Sequence, residues 1–471
     1  MPPPFRFQPR VEPLTGAAGE LGLVALAARL PSGALVLLDG WPGGASVLAF
    51  APLPARAPRS LCGLRSFLAR LEPRAGDPVP GAFHGGFLGA LSYELGAAAE
   101  RGLALPSDPW RLPALVGALY TDFLVRDEAR GTSFLVLGED PGDGRASVVE
   151  RARKLRARFA APAAGGACVS TGPLRRLVAR AEHARRIACA RELIAAGEIY
   201  QANLSYRLER DVRGDPLALY ARLTRLHPAP YASFLRFRAG ALLSVSPELL
   251  LEFGADQHGT SARTRPIKGT APRGRDPGED RASAERLLAS TKDLSELAMI
   301  VDLERNDLGR IARAGSVRVE GFPTLSSYAS VHHLTADVVA RPRDGIDAVA
   351  CLGSLFPGGS VTGAPKLRSM EVIAALEGEG RGFAYGSLLA LDTRGYMRAN
   401  LLIRTLIWRP RPARGPLEGE VTFRVGGGIT WGSDPELEEQ EAEAKGVLLA
   451  CALDECRSES LWHPRAPDAL L

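Results

Sequence analysis

Short apolar runs separated by glycine and proline constrain the fold of this chain more than any other feature of its sequence. In the N-terminal third, such runs occupy residues 34–38, 46–50, 83–93, 115–125 and 132–137. Few helical periods of any length lie between them, and apolar runs bounded by turn residues are typical of strands. We therefore predict a sheet-rich N-terminal domain over residues 1–160, followed by a linker at 161–166.

Helical and strand-like segments alternate in the remainder of the chain. The apolar periodicity predicts helices over about 182–196, from 280 to about 303, from 365 onward and from 433 to about 453. Strand-like runs lie between them at 234–237, 241–244, 249–253, 383–391, 400–408 and 421–425. The pattern predicts a second domain, over residues 178–455, that contains both helices and strands.

The composition limits the classes of protein to which this chain can belong. Its 471 residues are 46% hydrophobic and 24% charged, which excludes a disordered or fibrous protein. The net charge of +5 is spread without a basic stripe, so we expect no nucleic-acid partner. The most apolar early stretch, 21–38, is interrupted by Arg29 and Pro31, so we expect no membrane segment. Six cysteines without a CxxC pair favour a reduced, cytoplasmic protein.

Lysine is rare in this chain, since only five of the 58 basic residues are lysines: Lys154, Lys268, Lys292, Lys366 and Lys445. A buried lysine, unlike arginine, can lose its proton and act as a nucleophile. Lys268 lies in the loop-like segment 266–274 between an isoleucine and two small residues, where desolvation would lower the pKa of its amine. Codon bias and an ordinary surface loop are the alternative explanations.

The last predicted helix carries a row of charges on one face. Glu438, Glu441 and Lys445 are spaced at i, i+3 and i+7, which places them on the same side. The row is either a solvated surface or a carboxylate pair for a hard divalent cation such as Mg²⁺. Glu296, in the helix predicted from 280 to about 303, is a candidate third acid.

Three glycines and an arginine near the C-terminus have the chemistry of an anion site. Gly426, Gly427 and Gly428 let backbone N–H groups approach an anion, although a plain turn also explains them. Arg404 follows an apolar run and is able to clamp a carboxylate bidentately. Because arginine is abundant in this chain, an ordinary surface arginine is the alternative.

Together these segments resemble the chorismate-utilising enzymes, a family that includes anthranilate synthase component I, aminodeoxychorismate synthase component I, isochorismate synthase and salicylate synthase. The resemblance covers roughly residues 180–450 and keeps the order of the family's motifs. The matching stretches are GEIYQANLS (197–205), SPELLLEF (246–253), PIKGTAPRG (266–274), SELAMIVDLERNDLGR (295–310), HHLTADV (332–338), FPGGSVTGAPKLRSMEVI (356–373), IRT (403–405), GGGI (426–429) and SDPELEEQEAEAKG (433–446). An earlier stretch, GGFLGALSYELG (85–96), resembles the family's N-terminal domain.

The resemblance implies an α+β fold like that of anthranilate synthase component I, in which two sheet layers flanked by helices enclose a chorismate site. Glu248 would be the general acid that protonates a departing hydroxyl, and Lys268 would be the nucleophile. Mg²⁺ would be held by Glu296 and Glu441, with Glu438 close by. The substrate-binding positions would be Gln201, Gly269, Thr270, His333, Tyr385, Arg404, Gly426, Gly428 and Lys445.

Two positions select one reaction within the family. Members that add water carry a lysine where this chain has Gln201, and glutamine cannot activate water as a base. Anthranilate synthases usually read PIAGT where this chain reads PIKGT at 266–270, and that lysine is a mark of aminodeoxychorismate synthase component I. The resemblance therefore implies amination of chorismate through a covalent Lys268 adduct, with anthranilate synthase component I as the alternative.

A partner is implied as well, because this reaction needs ammonia. None of the six cysteines lies in a G-x-C-x-G nucleophile elbow, so the chain shows no glutaminase motif of its own. We therefore expect a separate glutamine amidotransferase subunit, in a heterodimer with this chain, as the donor of ammonia.

Overall fold

A computed structural model describes residues 5–31, 33–39, 41, 45–81, 83–99, 103–139, 146–163, 167–329, 331–415 and 417–454 of the chain. The strands are β1 (Phe5–Leu14), β2 (Leu35–Asp39), β3 (Ala45–Phe50), β4 (Leu71–Pro73), β5 (Gly86–Leu91), β6 (Leu115–Tyr120), β7 (Asp122–Asp127), β8 (Thr132–Glu139), β9 (Cys168–Ser170), β10 (Arg175–Arg176), β11 (Gln201–Gly214), β12 (Tyr231–Phe237), β13 (Gly240–Ser246), β14 (Leu249–Asp256), β15 (Gly259–Arg265), β16 (Ile267–Pro272), β17 (Arg318–Ser327), β18 (Val331–Ala340), β19 (Gly363–Ala364), β20 (Ser387–Asp392), β21 (Met397–Asn400), β22 (Thr405–Pro410) and β23 (Glu418–Ile429). The helices are α1 (Ala17–Glu20), α2 (Leu23–Ala27), α3 (Leu61–Leu68), α4 (Val148–Ala160), α5 (Arg180–Ala195), α6 (Pro216–Leu226), α7 (Pro277–Leu288), α8 (Thr291–Gly309), α9 (Ala348–Leu355), α10 (Lys366–Glu377) and α11 (Pro435–Asp454).

The strands form two large sheets. The larger sheet has the order β10-β11-β23-β22-β13-β12-β2-β3-β7-β8-β1-β4, with β9 and β19 also paired to β11. The smaller sheet has the order β16-β18-β15-β14-β21-β20-β5-β6, with β17 also paired to β18. Helices such as α6, α8 and α11 pack against the sheets. The predicted α+β architecture of two sheet layers flanked by helices is confirmed.

The alternation of side chains along the strands explains why the two sheets stack. In β13, Leu242 belongs to the core cluster that also contains Leu389 of the smaller sheet. The next residue, Leu243, belongs to a second cluster with Tyr220 of α6 and Leu449 of α11. Successive strand residues point to opposite faces, so an apolar run buries one face against the other sheet and one against helices. Both faces of this central strand are therefore covered.

Strands β1–β8 do not form a sheet of their own. The predicted strands at 34–38, 46–50 and 132–137 are confirmed as β2, β3 and β8. Strand β2 pairs with β12, and β5 pairs with β20, so the N-terminal strands extend both sheets. The backbone pairing therefore continues across the predicted linker, and the division into domains at 1–160 and 178–455 stays a prediction.

The long helix predicted from 280 to about 303 is wrong, because the chain forms two helices there. Helix α7 ends at Leu288 and α8 begins at Thr291. Ser290 caps the second helix, since its hydroxyl accepts a hydrogen bond of 3.3 Å from the backbone N–H of Asp293. Serine satisfies an N–H group that a helix start otherwise leaves unpaired. The break sets the direction of α8, which carries Glu296.

Within the described part of the chain, no helix is both long and apolar enough to cross a membrane. The five cysteines that the structure describes form no disulfide with one another, and Cys456 lies outside the described residues. The cytoplasmic location stays a prediction.

Candidate active site

A cavity of about 470 Å³ lies where strands of both sheets meet helices α8 and α11. Strands β16 and β18 contribute one wall, β23 a second, and the two helices a third. Every candidate site residue except Gln201 lines this cavity: Glu248, Lys268, Gly269, Thr270, Glu296, His333, Tyr385, Arg404, Gly426, Gly428, Glu438, Glu441 and Lys445. The structure therefore brings together residues that the sequence places in eight separate segments between 248 and 445.

Lys268 points its amine into the cavity from β16. Its Nζ makes no hydrogen bond with any described residue, and desolvation lowers the pKa of the amine although Glu296 opposes the shift. The register of β16 against β18 changes between Lys268 and Thr270, and Gly269 between them has φ of 75°. A bulge of this kind redirects side chains, and a left-handed φ favours glycine. The local backbone thus aims an amine without a hydrogen-bond partner into the cavity.

Glu248 precedes β14 and is almost fully buried, with 3% of its surface exposed. Burial raises the pKa of its carboxyl to about 7, although Ser360 and Lys268 oppose the shift. The Ser360 hydroxyl donates a hydrogen bond of 2.5 Å to Glu248 Oε1. A carboxyl whose pKa lies near neutrality exchanges protons readily at that pH. Glu248 therefore has the properties of a general acid.

His333 of β18 is a neutral imidazole at the same cavity. A hydrogen bond of 2.8 Å joins its Nδ1 to the hydroxyl of Thr270 on the neighbouring strand. Burial lowers the pKa of His333 to about 3, and the Arg404 charge adds to the effect. Its Nε2 is buried and has no hydrogen-bond partner among the described residues. Nε2 is therefore available to a bound molecule.

Two of the predicted binding residues have a left-handed backbone. Tyr385 has φ of 64° and Arg404 has φ of 49°. Such a conformation costs a non-glycine residue about 1–3 kcal/mol and persists only when its surroundings hold it. The Tyr385 N–H donates to Leu402 O at 3.0 Å, and Arg404 O accepts from Val245 N–H at 3.1 Å. The strained backbone fixes the half-buried guanidinium of Arg404 at the cavity wall, where it is placed to bind a carboxylate.

The triple glycine is part of a strand, so its interpretation as a turn is wrong. Gly426, Gly427 and Gly428 lie near the end of β23 and pair with β11. A Cβ atom on Gly428 would stand 1.9 Å from Gln201 Nε2 and 3.2 Å from Lys268 Nζ. Glycine is required because the strand passes directly against these side chains. Gln201 is thus placed behind the cavity wall, fully buried, and neither amide atom has a hydrogen-bond partner among the described residues.

Glu296 of α8 and Glu438 and Glu441 of α11 share one wall of the cavity. Lys445 lies 2.7 Å from Glu441 and also donates to Gly426 O at 3.1 Å. Lys445 lowers the pKa of Glu441, whereas burial raises the pKa of Glu296. No three His, Cys, Asp or Glu groups converge on one metal position within the described ranges. The oxygen donors nevertheless fit Mg²⁺, which usually takes one or two protein carboxylates and completes its shell with water and an anion.

A second cavity of about 740 Å³ adjoins the first. The two cavities share six wall residues, Pro247, Val331, His333, Arg404, Leu448 and Leu449. Most of the shared wall is apolar, and the two polar groups in it are those of His333 and Arg404. The two cavities are therefore neighbours that share His333 and Arg404.

Several wall residues were not predicted from the sequence. Ser360, Asn203, Arg424 and Lys292 also line the cavity. Glu304 of α8 lies outside it, is 2% exposed, and accepts a hydrogen bond of 2.8 Å from the Thr264 hydroxyl. Ser360 and Asn203 lie inside stretches that carry the family resemblance, and Lys292 is one of only five lysines. The family resemblance and the rarity of lysine could therefore have drawn attention to these three residues. Nothing in the sequence, however, shows that Ser360 contacts Glu248 or that Lys292 lies near Glu438.

Comparison with known proteins relates the chain to enzymes that act on chorismate. A family model described as chorismate binding enzyme matches residues 54–450. Anthranilate synthase component 1 of Streptomyces coelicolor is 36% identical over 419 residues, which are 85% of this chain and 79% of that protein. Aminodeoxychorismate synthase component 1 of Salmonella typhimurium is 35% identical over 373 residues, 79% of this chain and 76% of that protein. Identity alone does not separate these two activities.

A solved structure agrees with the fold. Anthranilate synthase component I from Streptococcus pneumoniae superposes with a TM-score of 0.72 at 26% identity, covering 91% of this chain and 97% of that chain. The helices, sheets and cavity described above are therefore arranged on a known architecture.

Proposed function

This chain belongs to the chorismate-binding enzyme family, and we propose that its reaction within the family is that of aminodeoxychorismate synthase component I. The reaction converts chorismate and ammonia to 4-amino-4-deoxychorismate, a precursor of p-aminobenzoate and folate. The observation that supports this choice is Lys268, whose amine faces the cavity, is desolvated, and has no hydrogen-bond partner among the described residues. An unpaired, desolvated lysine is suited to nucleophilic catalysis.

The Lys268 amine explains where the new nitrogen is placed. Its lone pair attacks ring carbon 2 of chorismate, the double bonds shift, and the hydroxyl on carbon 4 leaves. Ammonia then attacks carbon 4, the double bonds shift back, and the lysine amine leaves carbon 2. Direct attack by ammonia on carbon 2 would instead place nitrogen beside the ring carboxylate. The covalent adduct therefore decides the position of amination as well as its rate.

Glu248 balances the protons of these two displacements. Its carboxyl donates a proton to the departing hydroxyl, so that water leaves. The ammonia nitrogen carries an extra proton after it attacks carbon 4, and the Glu248 carboxylate is placed to take that proton back. With its pKa raised to about 7 by burial, Glu248 can serve in both directions near neutral pH.

The remaining residues bind and orient the substrate. Arg404 is placed to hold one carboxylate, and the backbone of Gly426 and Gly428 allows close approach of the other. Glu296 and Glu441, with Glu438, would hold Mg²⁺, which neutralises substrate charge when bound. The neutral His333 and Thr270 form a hydrogen-bonded pair beside Lys268, which leaves Nε2 without a partner among the described residues and available to the substrate.

The proposal includes a partner subunit, a glutamine amidotransferase that supplies ammonia. Relatives named component 1 of two enzymes support a division of labour between subunits. The chain itself carries no G-x-C-x-G motif. The second cavity of about 740 Å³ supports a route for ammonia, since it adjoins the site through a largely apolar wall.

Product analysis tests the proposed reaction. The purified chain is incubated with chorismate, Mg²⁺ and an ammonium salt, and products are separated by liquid chromatography and identified by mass spectrometry. We expect 4-amino-4-deoxychorismate, together with a chorismate-derived mass increase on the peptide that contains Lys268. Lys268→Ala is expected to lose both, while Lys154→Ala, on the distant helix α4, keeps both. Unchanged rate and product in Lys268→Ala would disprove the covalent route.

Anthranilate synthase component I is the second candidate, and His333 is the observation that favours it. The Nε2 of this neutral histidine is buried and has no hydrogen-bond partner among the described residues, so it can hydrogen-bond the pyruvate group as that group leaves. If the same incubation yields anthranilate and pyruvate, this second assignment replaces the first.

A further inference from the structure

Lys292 lies between Glu438 and Glu296, two of the acids proposed to hold the cation. Its Nζ is 3.7 Å from Glu438 Oε1 and 4.0 Å from Glu296 Oε1. One acid belongs to α11 and the other to α8, so a single ammonium links the two helices at this wall. Neither distance is that of a hydrogen bond, and the ammonium is therefore held by charge rather than by directed contacts.

The acids on this wall are neutralised by lysines of the chain itself. Lys445 forms an ion pair with Glu441, and Lys292 lies near Glu438 and Glu296. Glu438 is further held by the Ser433 hydroxyl, which donates to its Oε1 at 2.8 Å. The acids therefore already have positive counter-charges within the protein, and a divalent cation has to compete with them.

Lys292 is the more exposed of the two lysine counter-charges, since the Lys445 side chain is 45% exposed. The Lys292 side chain is 60% exposed and lies in the first turn of α8, whereas the Glu438 side chain is 6% exposed. Lys292 and Glu296 also line an adjoining groove of about 420 Å³ that contains Tyr200 and Trp431. Tyr200 is 72% exposed and its aromatic face can attract an ammonium, whereas the Arg191 guanidinium already lies over the Trp431 ring, 6.0 Å from its centroid. The groove therefore offers the Lys292 amine a second, solvent-exposed place beside the acids.

We propose that Lys292 is the counter-ion of this wall when no divalent cation is bound, and that the cation binds by displacing the Lys292 ammonium into the groove. The proposal rests on the assignment of Glu296, Glu438 and Glu441 to the cation. A Mg²⁺ ion binds carboxylate oxygens at about 2 Å, so it would be strongly repelled by an ammonium near the same atoms. Lys292 thus weakens cation binding and keeps the acids paired in its absence.

Direct measurement of Mn²⁺ binding tests the competition. Free Mn²⁺ is titrated against the full-length protein and followed by electron paramagnetic resonance, without substrate and without any activity assay. Lys292→Met keeps the length of the side chain but removes its charge, and we expect it to bind Mn²⁺ about three to ten times more tightly. Lys292→Arg keeps a cation and is expected to show no gain.

Lys154→Met is the matched control for the loss of one exposed ammonium. Lys154 Nζ lies 3.3 Å from Oε1 of Glu150, four residues earlier in the chain, and the Lys154 side chain is 61% exposed. Because it lies on α4, its substitution is expected to leave Mn²⁺ binding unchanged. An equal gain in both variants would attribute the effect to net charge and would contradict a specific role of Lys292.

A second readout follows the amine itself. Acetic anhydride labels exposed lysine amines, and mass spectrometry resolves each of the five lysines of the chain. Addition of Mg²⁺ is expected to increase the labelling of Lys292 and to leave that of Lys154 unchanged. Unchanged or reduced labelling of Lys292 would overturn the displacement.

Failure of this inference is distinguishable from failure of the metal assignment. If the natural protein binds Mn²⁺ and Glu296→Gln does not, the acids hold the cation, and equal affinity of Lys292→Met and the natural protein then refutes Lys292 alone. If neither the natural protein nor Lys292→Met binds Mn²⁺, the assignment of the acids and the inference both fail. The amination chemistry of Lys268 is tested separately by product analysis.

Discussion

Glu248 and Lys268 both line the cavity but form no ion pair with each other. On helix α11, by contrast, Lys445 Nζ lies 2.7 Å from Glu441 Oε1. Burial raises the pKa of Glu248 to about 7 and lowers the pKa of Lys268. On α11 the charge of Lys445 is the main cause that lowers the pKa of Glu441, and both side chains are about half exposed.

The difference shows how one pair of residue types serves two kinds of chemistry. A buried carboxyl and amine without an ion pair approach neutrality and are able to exchange protons or attack carbon. An exposed, paired carboxylate and ammonium stay charged and are suited to binding ions. Burial, rather than residue type, therefore separates the proposed catalytic wall from the proposed cation wall.

The largest effect is expected at the catalytic wall. Glu248→Gln removes the proton donor while keeping the shape of the side chain, and we expect kcat with chorismate and ammonium to fall about 10²- to 10⁴-fold. Glu304→Gln is the matched control, because Glu304 is equally buried but does not line the cavity. A similar fall in both variants, with unchanged circular dichroism, would contradict the special role of Glu248.

The next effect concerns stability and pH. Because the pKa of Glu248 is raised from 4.5 in the unfolded chain to about 7 in the folded protein, its ionisation favours unfolding. The free energy of unfolding is therefore expected to fall by about 3 kcal/mol as the pH rises from about 4.5 to about 7. We expect urea denaturation to show Glu248→Gln gaining stability relative to the natural protein over this range. A constant difference between the two proteins would mean that Glu248 is ionised normally.

The smallest effect is expected at the cation wall. Lys445→Met removes the main cause of the lowered pKa of Glu441, so that pKa should rise towards its ordinary value. Because the pair is about half exposed, its loss should change the free energy of unfolding by at most about 1 kcal/mol. Urea denaturation at low and high salt checks this expectation. A loss of several kcal/mol would show that this wall is as desolvated as the catalytic one.

The sequence predicted much of the site because its chemistry depends on residue types in a recognisable order. Lys268 within PIKGT and the spacing of Glu438, Glu441 and Lys445 were both informative. The strand content of the N-terminal part was predicted from short apolar runs bounded by turn residues, a signal that neighbouring residues carry by themselves. Predictions of this kind need only neighbouring residues.

Other features were missed because they depend on contacts between distant segments. One miss was local: Ser290 caps the start of α8 and so divides the single helix that was predicted from 280 to about 303, an effect that apolar periodicity does not reveal. The triple glycine is part of a strand because its backbone pairs with β11, and Gln201 and Lys268 leave no room for a Cβ atom at Gly428. Lys292 became relevant only when α8 and α11 met and placed its amine near Glu438.

The sequence by itself determined the family, the order of the motifs and the residue types available for chemistry. Only the tertiary structure decided that Glu248 is buried and has a pKa near 7, and that Glu441 forms an ion pair with Lys445. It also decided that the Lys268 amine has no hydrogen-bond partner among the described residues. The physical reason is that a pKa depends on solvent exposure and on charges within a few ångströms. For Glu248, Lys268 and Lys292, those surroundings come from strands and helices that are far apart in the chain and meet only in the folded protein.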